Sequence, residues 1–492
     1  MRELILSIDQ GTTGTTALFL ERDVTVAAKH NVEFPNHYPQ PGWVEHDLEE
    51  IWTSVKQAVR GAVEKLGSEP FKIVAIGITN QRETCVFWDK TTGKPIHRAL
   101  VWQDRRTAER CAELKKQGLE EDVRKRTGLV LDPYFSGTKA QWLLDHVAGS
   151  REQAQKGELL FGTIDTYLIW RLSGAHVTDP SNASRTLLFN IHTMSWDPYL
   201  LDLLNVPAAS LPKIIDNAQV VGHTKGISFL EDGIPVAGVA GDQQSALFGQ
   251  ACFSPGSAKC TYGTGAFLLM NTGSEPVPSN NGLLTTVAWR LDGKVSYALE
   301  GSAFIAGAAV QWLRDGLGLI SSAPEIEDLA GRVESSNGVS FVPALAGLGA
   351  PHWKPDARGL LSGITGGTTK DHVAYAVLEG VAMQIVDILE AMSSDSGQDL
   401  SMLKVDGGMS KNNLMMQMQA DLLNTSCARP QVLETTALGA AFLAGLGVGF
   451  WKSTHAITEA WCLDRQFHSQ ASHEDVSERK KAWTAAVNRA SI

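Results

Sequence analysis

The stretch SIDQGTTGTTALFL, residues 7–20, places one carboxylate, Asp9, beside two glycines and four threonines, with apolar residues on both sides. Glycines let backbone N–H groups come close to a phosphate, and threonine hydroxyls add further donors. A carboxylate among them repels phosphate unless it holds Mg2+, a hard ion that takes oxygen ligands and keeps several waters. Asp9 with Gly11, Thr12 and Thr13 therefore suits a metal–phosphate site. The same residues also make a plain hairpin turn stabilised by threonine.

Three more glycine turns share this chemistry: YGTGAF at 262–267, KVDGGMSKNN at 404–413 and GSAFIAGAAVQW at 301–312. No G-x-x-x-x-G-K-[ST] is present, and no G-x-G-x-x-G follows a strand to open a helix, so two common nucleotide-binding routes are excluded. Hydroxyl-and-glycine turns spread along the whole chain point instead to a cleft between two domains. NQRET at 80–84 puts Arg82 and Glu83 together after an apolar run. Buried charges there need partners. An Arg donates and a Glu accepts, so the pair matches hydroxyls, which do both; a surface ion pair is the alternative. VWQDRR and DPYFSG supply Trp102 and Tyr134, aromatics that serve equally well in a core. GDQQ at 241–244 sets Asp242 at a strand end, where a carboxylate can take the proton of an attacking alcohol. Such positioning contributes about 10²–10⁴-fold. Helix capping is the competing role for that aspartate.

The elements that position these residues read as α/β, short strand-like runs alternating with longer helical patterns. Leu4–Ile8 and Thr15–Leu20 form paired strands, and Leu48–Leu66 a helix. Strands follow at Ile73–Thr79, Cys85–Asp89 and Ala99–Trp102, the last leading into a helix that Asp104 caps. In the second half, Ala258–Tyr262 and Ala266–Asn271 flank the turn GTG. Val373, Val377, Val381, Ile385 and Ile388 mark a helix, with Thr368 and Asp371 as its capping box. Met415, Met416 and Met418 read as core or interdomain packing. IDQGTTGTTALF and VAGVAGDQQSALF echo one another, as two related domains or by chance.

The 492 residues, 43% hydrophobic and 20% charged, predict a globular protein of two or more domains. The net charge of −11, with no basic tract, argues against nucleic acid and anionic membranes. No run approaches a membrane span; Ala437–Phe450 is too short. Six scattered cysteines without C-x-x-C read as reduced, mostly buried thiols of a cytoplasmic protein.

The segments PQPGWVEHD (39–47), GITNQRET (77–84), VWQDRRTAE (101–109), GLVLDPYFSGTK (128–139), SNASRTLLFNIHT (181–193), AGDQQSALFGQ (240–250), TYGTGAFLLMNTG (261–273) and GLGAPHWKPDARG (347–359) resemble the FGGY family of carbohydrate kinases. YFSGTKAQWLLDH (134–146) and GLLSGITGGTTKDHVAYAVLE (359–379) are similar to its two signatures, and the match runs from about residue 4 to 465. NQRE, PGWVEHD and AGDQQ resemble its glycerol-phosphorylating members.

The resemblance implies two actin-like, ribonuclease-H-like α/β domains with an interdomain catalytic cleft. Residues 1–247 would carry the polyol site and phosphate hairpin, and 248–492 the nucleotide site. It implies in-line transfer of the ATP γ-phosphoryl to glycerol with Mg2+, giving sn-glycerol 3-phosphate, with Asp242 as general base; another small polyol or ketose is the alternative substrate. Arg82, Glu83, Tyr134, Asp242 and Gln243 match the family's polyol contacts, with Thr12 beside them. Trp102 and Phe267 match the aromatic walls, and Asp9 the carboxylate near Mg2+. Thr12, Thr13, Gly14, Thr264, Gly307, Gln311, Gly408 and Asn412 fall where the family holds ATP. A homodimer or homotetramer is expected, without membrane insertion or nucleic acid. One departure stands out: where the family reads DQGTTS-x-R, this chain has Thr16. The hairpin lacks that positive charge, so phosphate is held more weakly or another Lys or Arg substitutes.

Overall fold

The computed structural model describes residues 1–491. In its first half, Arg2–Gln10 pairs antiparallel with Gly14–Leu20, which pairs antiparallel with Val26–Glu33. On its other side Arg2–Gln10 runs parallel to Phe71–Asn80, and that strand parallel to Pro235–Gly241. Ala218–His223 closes the edge. In the second half, Ser257–Tyr262 pairs antiparallel with Ala266–Gly273, and that strand with Lys294–Ala303. Ser257–Tyr262 runs parallel to Met402–Asp406, which runs parallel to Cys427–Pro430. Leu284–Leu291 and Leu463–Phe467 form the edges. Both sheets thus lead with a hairpin and continue into two parallel strands.

Of the two readings of the sequence echo, this duplication favours chance. The counterpart of the Arg2–Leu20 hairpin is the hairpin spanning Ser257–Gly273, not the GDQQ turn. Pro235–Gly241 lies in the same sheet as Asp9 and leads into a helix, Asp242–Gly249, rather than a second strand.

Burial on both faces explains the apolar strand runs. Leu4, Leu6 and Ile8 face a core with Leu48, Ile51, Val55 and Ala58 of the helix Leu48–Leu66. Ile5 faces the opposite core with Leu438, Ala441 and Phe442. Those residues belong to the helix Thr435–Gly447, which packs on the first sheet and on Asp242–Gly249. Its approach is close enough that a Cβ on Gly77 would lie 2.1 Å from the Ala440 carbonyl oxygen. Met415, Met416 and Met418 are core, as expected. A smaller sheet of Glu45–His46, Ala99–Leu100, Cys85–Asp89 and Leu159–Thr163 supports the loops bearing Trp102 and Tyr134.

Four local expectations need correction. The strand at Ala99 ends at Leu100, and Asp104 caps no helix: the next begins at Ala108. Asp104 instead accepts from the Val44 N–H at 2.7 Å and pairs with buried Arg106 at 2.9 Å. The adjacent Arg106 gives that carboxylate a stronger partner than a helix end, while Arg105 pairs with Asp132. The capping box of Lys370–Ser396 is Thr369 with His372, one residue later than expected, because the Thr368 hydroxyl accepts from the Thr365 N–H instead. That same helix is long and apolar enough to cross a membrane, contrary to expectation, but most of it is buried within the protein. Cys85, Cys111, Cys252, Cys260 and Cys427 are buried free thiols, and Cys462 is exposed.

Candidate active site at the ends of the parallel strands

Asp9 lies opposite Thr79, Gln10 opposite Asn80, and Asn80 opposite Gly241. Asp9, Arg82 and Asp242 therefore emerge together at the carboxyl ends of three adjacent parallel strands, where open α/β sheets bind ligands. A hydrogen-bonded chain fixes these ends. Gln81 Nε2 donates to Gln10 Oε1 and to the Gly11 carbonyl, both at 3.2 Å. The Thr84 hydroxyl donates to Gln81 and accepts from the Trp102 N–H at 3.2 Å. His46 Nδ1 meets Gln81 at 3.2 Å, and burial holds its ring down at about 3, so it stays neutral. Arg106 stacks between Trp43 and Trp142 and pairs with Glu45 at 2.8 Å. PGWVEHD and QDRR thus lock together behind the site.

Charge is concentrated at Arg82. Its Nε lies 3.0 Å from Asp242, and its Nη2 donates to Glu300 at 3.1 Å and to the Tyr134 hydroxyl at 3.4 Å. Arg185 donates to Glu83 at 2.7 Å and to Glu300 at 2.9 Å. The four residues Arg82, Glu83, Arg185 and Glu300 form a buried grid of alternating charge. Glu300 comes from the second sheet, so the grid joins the halves. Burial alone raises a carboxyl; here Arg185 and Arg82 overcome it and hold Glu300 at about 2. Glu83 is raised, its burial outweighing both arginines. Its φ of 61° is left-handed, with the Thr84 N–H bonded to the Arg82 carbonyl at 2.7 Å, the geometry of a strained γ-turn. Sequence reasoning missed Arg185 and Glu300. For Glu300 there was a signal, a lone charge within the apolar run YALEGSA that demands a buried partner, although its identity was not readable; Arg185, in the polar stretch SNASRT, carried none.

Asp242 is 30% exposed and heads its helix, with Arg82 at its side. The Trp102 and Tyr134 rings meet edge-on at 5.6 Å, and Trp102 Nε1 donates to the Thr12 hydroxyl at 2.9 Å. One apolar wall, two carboxylates, a guanidinium and hydroxyls are thereby brought together. Gln243 and Phe267 join through Lys259, whose ammonium donates to the Gln243 side-chain oxygen and to the Phe267 carbonyl. Burial, and then the charge of Asp242, push Asp9 up to about 7. Its carboxylate accepts no hydrogen bond among the described residues. A half-buried carboxylate without donors beside a second carboxylate fits Mg2+, which uses one or two carboxylates plus substrate phosphates. Thr16 faces Asn31, which donates to its hydroxyl at 3.0 Å.

The nucleotide candidates gather around the second hairpin. The Ala306 and Ala308 N–H groups donate to the Thr264 carbonyl, and that of Gly307 to Gly263. A Cβ on Gly307 would meet the Gly263 oxygen at 2.6 Å, so only glycine fits. Gly407, beside Gly408, has φ 85° and packs on the Tyr262 backbone. Gln311 is exposed one turn beyond Gly307, and the Asn412 oxygen caps Asn413–Leu423 through the Met415 N–H at 2.8 Å. Neither side chain bonds to the hairpin. Thr12, Thr13 and Gly14 lie apart from these, on the first hairpin's tip.

Residues 4–249 match the N-terminal domain, and 258–448 the C-terminal domain, of the FGGY family of carbohydrate kinases. The glycerol kinase of Myxococcus xanthus is 58% identical over 491 residues, covering 99% of each chain. A crystal structure of Plasmodium falciparum glycerol kinase with ADP superposes with a TM-score of 0.95 at 39% identity, covering 100% of this chain and 99% of that one. The gluconate kinase of Lactobacillus acidophilus shares the fold at a TM-score of 0.89 and 22% identity, over 99% and 98% of the two chains. With both domain models matched in order along its length, the chain belongs to the FGGY family of carbohydrate kinases.

Proposed function

We propose that this chain transfers the γ-phosphoryl of ATP to a terminal hydroxyl of glycerol, giving sn-glycerol 3-phosphate. The observation that carries the reading is the placement of Asp242, partly exposed and 3.0 Å from Arg82, whose other end reaches the hydroxyl of Tyr134 in the Trp102–Tyr134 wall at 3.4 Å. Glycerol has a carbon edge for Trp102 and Phe267 and hydroxyls for Arg82, Glu83, Tyr134 and Gln243. A site built to pair hydroxyls rejects analogues that leave its groups unpaired. The bond to Tyr134 is the longest of the Arg82 hydrogen bonds and, with a neutral acceptor, the easiest to exchange for a substrate hydroxyl. Asp242 takes the hydroxyl proton as the oxygen attacks phosphorus, and Arg82 steadies its charge. Asp9 would hold Mg2+, which when bound neutralises charge on the phosphates. Thr12, Thr13 and Gly14 offer donors to those phosphates, and Thr264, Gly307, Gln311, Gly408 and Asn412 hold the rest of the nucleotide.

We assign 1–247 and 248–492 as the two domains, joined through the helix Asp242–Gly249. A cytoplasmic homodimer or homotetramer completes the reading, checked by light scattering. The central test measures ADP release with glycerol, dihydroxyacetone, erythritol and xylulose, beside Asp242→Asn. Glycerol gives the highest kcat/KM, and Asp242→Asn lowers kcat by about 10²–10⁴-fold. Preference for another polyol or ketose overturns the substrate, and an active Asp242→Asn overturns the base.

A further inference from the structure

We infer that Lys259 is a positioning residue that fixes which end of the Gln243 amide meets the polyol. The inference rests on the reading of Gln243 as a polyol contact. Lys259 lies in the strand Ser257–Tyr262 between Ala258 and Cys260 and is fully buried. Its ammonium has three hydrogens and three acceptors: the Gln243 Oε1, the Thr261 hydroxyl at 3.0 Å and the Phe267 carbonyl at 3.3 Å. Thr261 and Phe267 face each other across the second hairpin. Gln243 belongs to the helix that begins at Asp242, at the end of the first sheet. The lysine therefore reaches from one half of the molecule to a side chain beside the candidate base.

A primary amide has one accepting end and one donating end. With its oxygen held by an ammonium, turning the Gln243 amide over would lose a charge-assisted bond and set NH2 against NH3+. The NH2 end makes no hydrogen bond to any described residue, so it is the end left for a ligand. Asp242 and Glu83 can only accept when ionised. A hydroxyl that accepts from Gln243 keeps its own proton for one of those carboxylates. Lys259 thus sets the polarity of one polyol contact without touching the polyol. Burial lowers the lysine's affinity for its proton, and the Asp406 carboxylate is the largest opposing charge.

Steady-state kinetics of full-length variants test this. Lys259→Met keeps the length of the side chain and removes the donor. Its glycerol KM should rise about tenfold, equivalent to about 1.4 kcal/mol, with the ATP KM within about twofold. Gln243→Glu keeps an acceptor for Lys259 and removes the NH2. It should raise the glycerol KM as much as Gln243→Ala, and it decides the matter if Lys259→Met does not fold. An unchanged or lower glycerol KM in Gln243→Glu, with Gln243→Ala raised, overturns the assigned polarity. So does a Lys259→Met variant whose ATP KM rises as much as its glycerol KM. The double variant Lys259→Met/Gln243→Ala should be no worse than Gln243→Ala alone; a multiplied loss means that Lys259 acts elsewhere. If Gln243→Ala itself leaves the glycerol KM unchanged, the polyol contact fails rather than the lysine's role.

Discussion

The two leading hairpins share pairing and sheet position but differ in charge. The first ends in Asp9, Gly11, Thr12 and Thr13, with a carboxylate that accepts no hydrogen bond among the described residues. The second ends in Gly263, Thr264 and Gly265, has no acid at its tip and carries a buried lysine along its strand. The first is braced by neutral amides, Gln10 and Gln81; the second closes against the backbone of Ala306–Ala308. A repeated scaffold fixes where the tips stand, and single side chains decide what each can hold. In the proposed function the acidic tip serves metal and phosphate, and the neutral tip serves the nucleotide.

Breaking the link between the two halves should have the largest effect. Glu300→Gln strips charge from a buried grid that holds Arg82 and Arg185, and breaking such a pair costs about 3–5 kcal/mol. Thermal unfolding should show a large loss of stability, and the glycerol KM should rise at least tenfold. A variant of unchanged stability would mean that the grid contributes nothing to joining the sheets.

Gly307→Ala addresses the neutral tip alone. Its Cβ would meet the Gly263 carbonyl at 2.6 Å. The ATP KM should rise about tenfold, as for a contact worth about 1.4 kcal/mol, while glycerol binding stays within twofold. Equal losses for both substrates would erase the division of labour between the tips.

Thr16→Arg restores the missing charge at the acidic tip. The ATP KM should fall severalfold, with the gain shrinking in high salt as screening grows. No change would show that the tip's charge does not limit phosphate binding.

The smallest effect is the pH response of Asp9. Its carboxyl is raised from 3.8 to about 7 by burial and by Asp242. A raised acid binds its proton more tightly when folded, so stability is lost as pH climbs from about 4 through 7. Solvent reaching this half-buried group reduces the cost to about 1–2 kcal/mol. Without Mg2+, Asp9→Asn should therefore melt a few degrees above the parent at pH 8 and level with it at pH 4. Equal melting at both pH values would show that Asp9 is not destabilised by its surroundings.

The same contrast explains what could be read from the chain directly. Leu48–Leu66 was legible to the residue because its apolar face, acidic first turn and capping Asp47 all agree. Cys85–Asp89 and both hairpins were legible because buried strands leave continuous apolar runs between glycine turns. Arg82, Glu83 and Asp242 stood out because each follows such a run. Asp104 misled because its partners, Val44 and Arg106, outcompete a helix end and one lies far off in sequence. Glu300 and Lys259, inside strands, and Arg185, in the turn after Pro180–Ala183, escaped notice because the meaning of a buried charge depends on a partner that only the folded chain supplies.

The helix Thr435–Gly447 covers the face of a sheet whose first strand begins at Arg2. During synthesis that face is made before the helix Thr435–Gly447 that covers it. The core around Ile5, Ala75 and Ala237 therefore reaches its final packing only when that helix docks, which ties completion of the first sheet to a segment made more than 400 residues after its first strand.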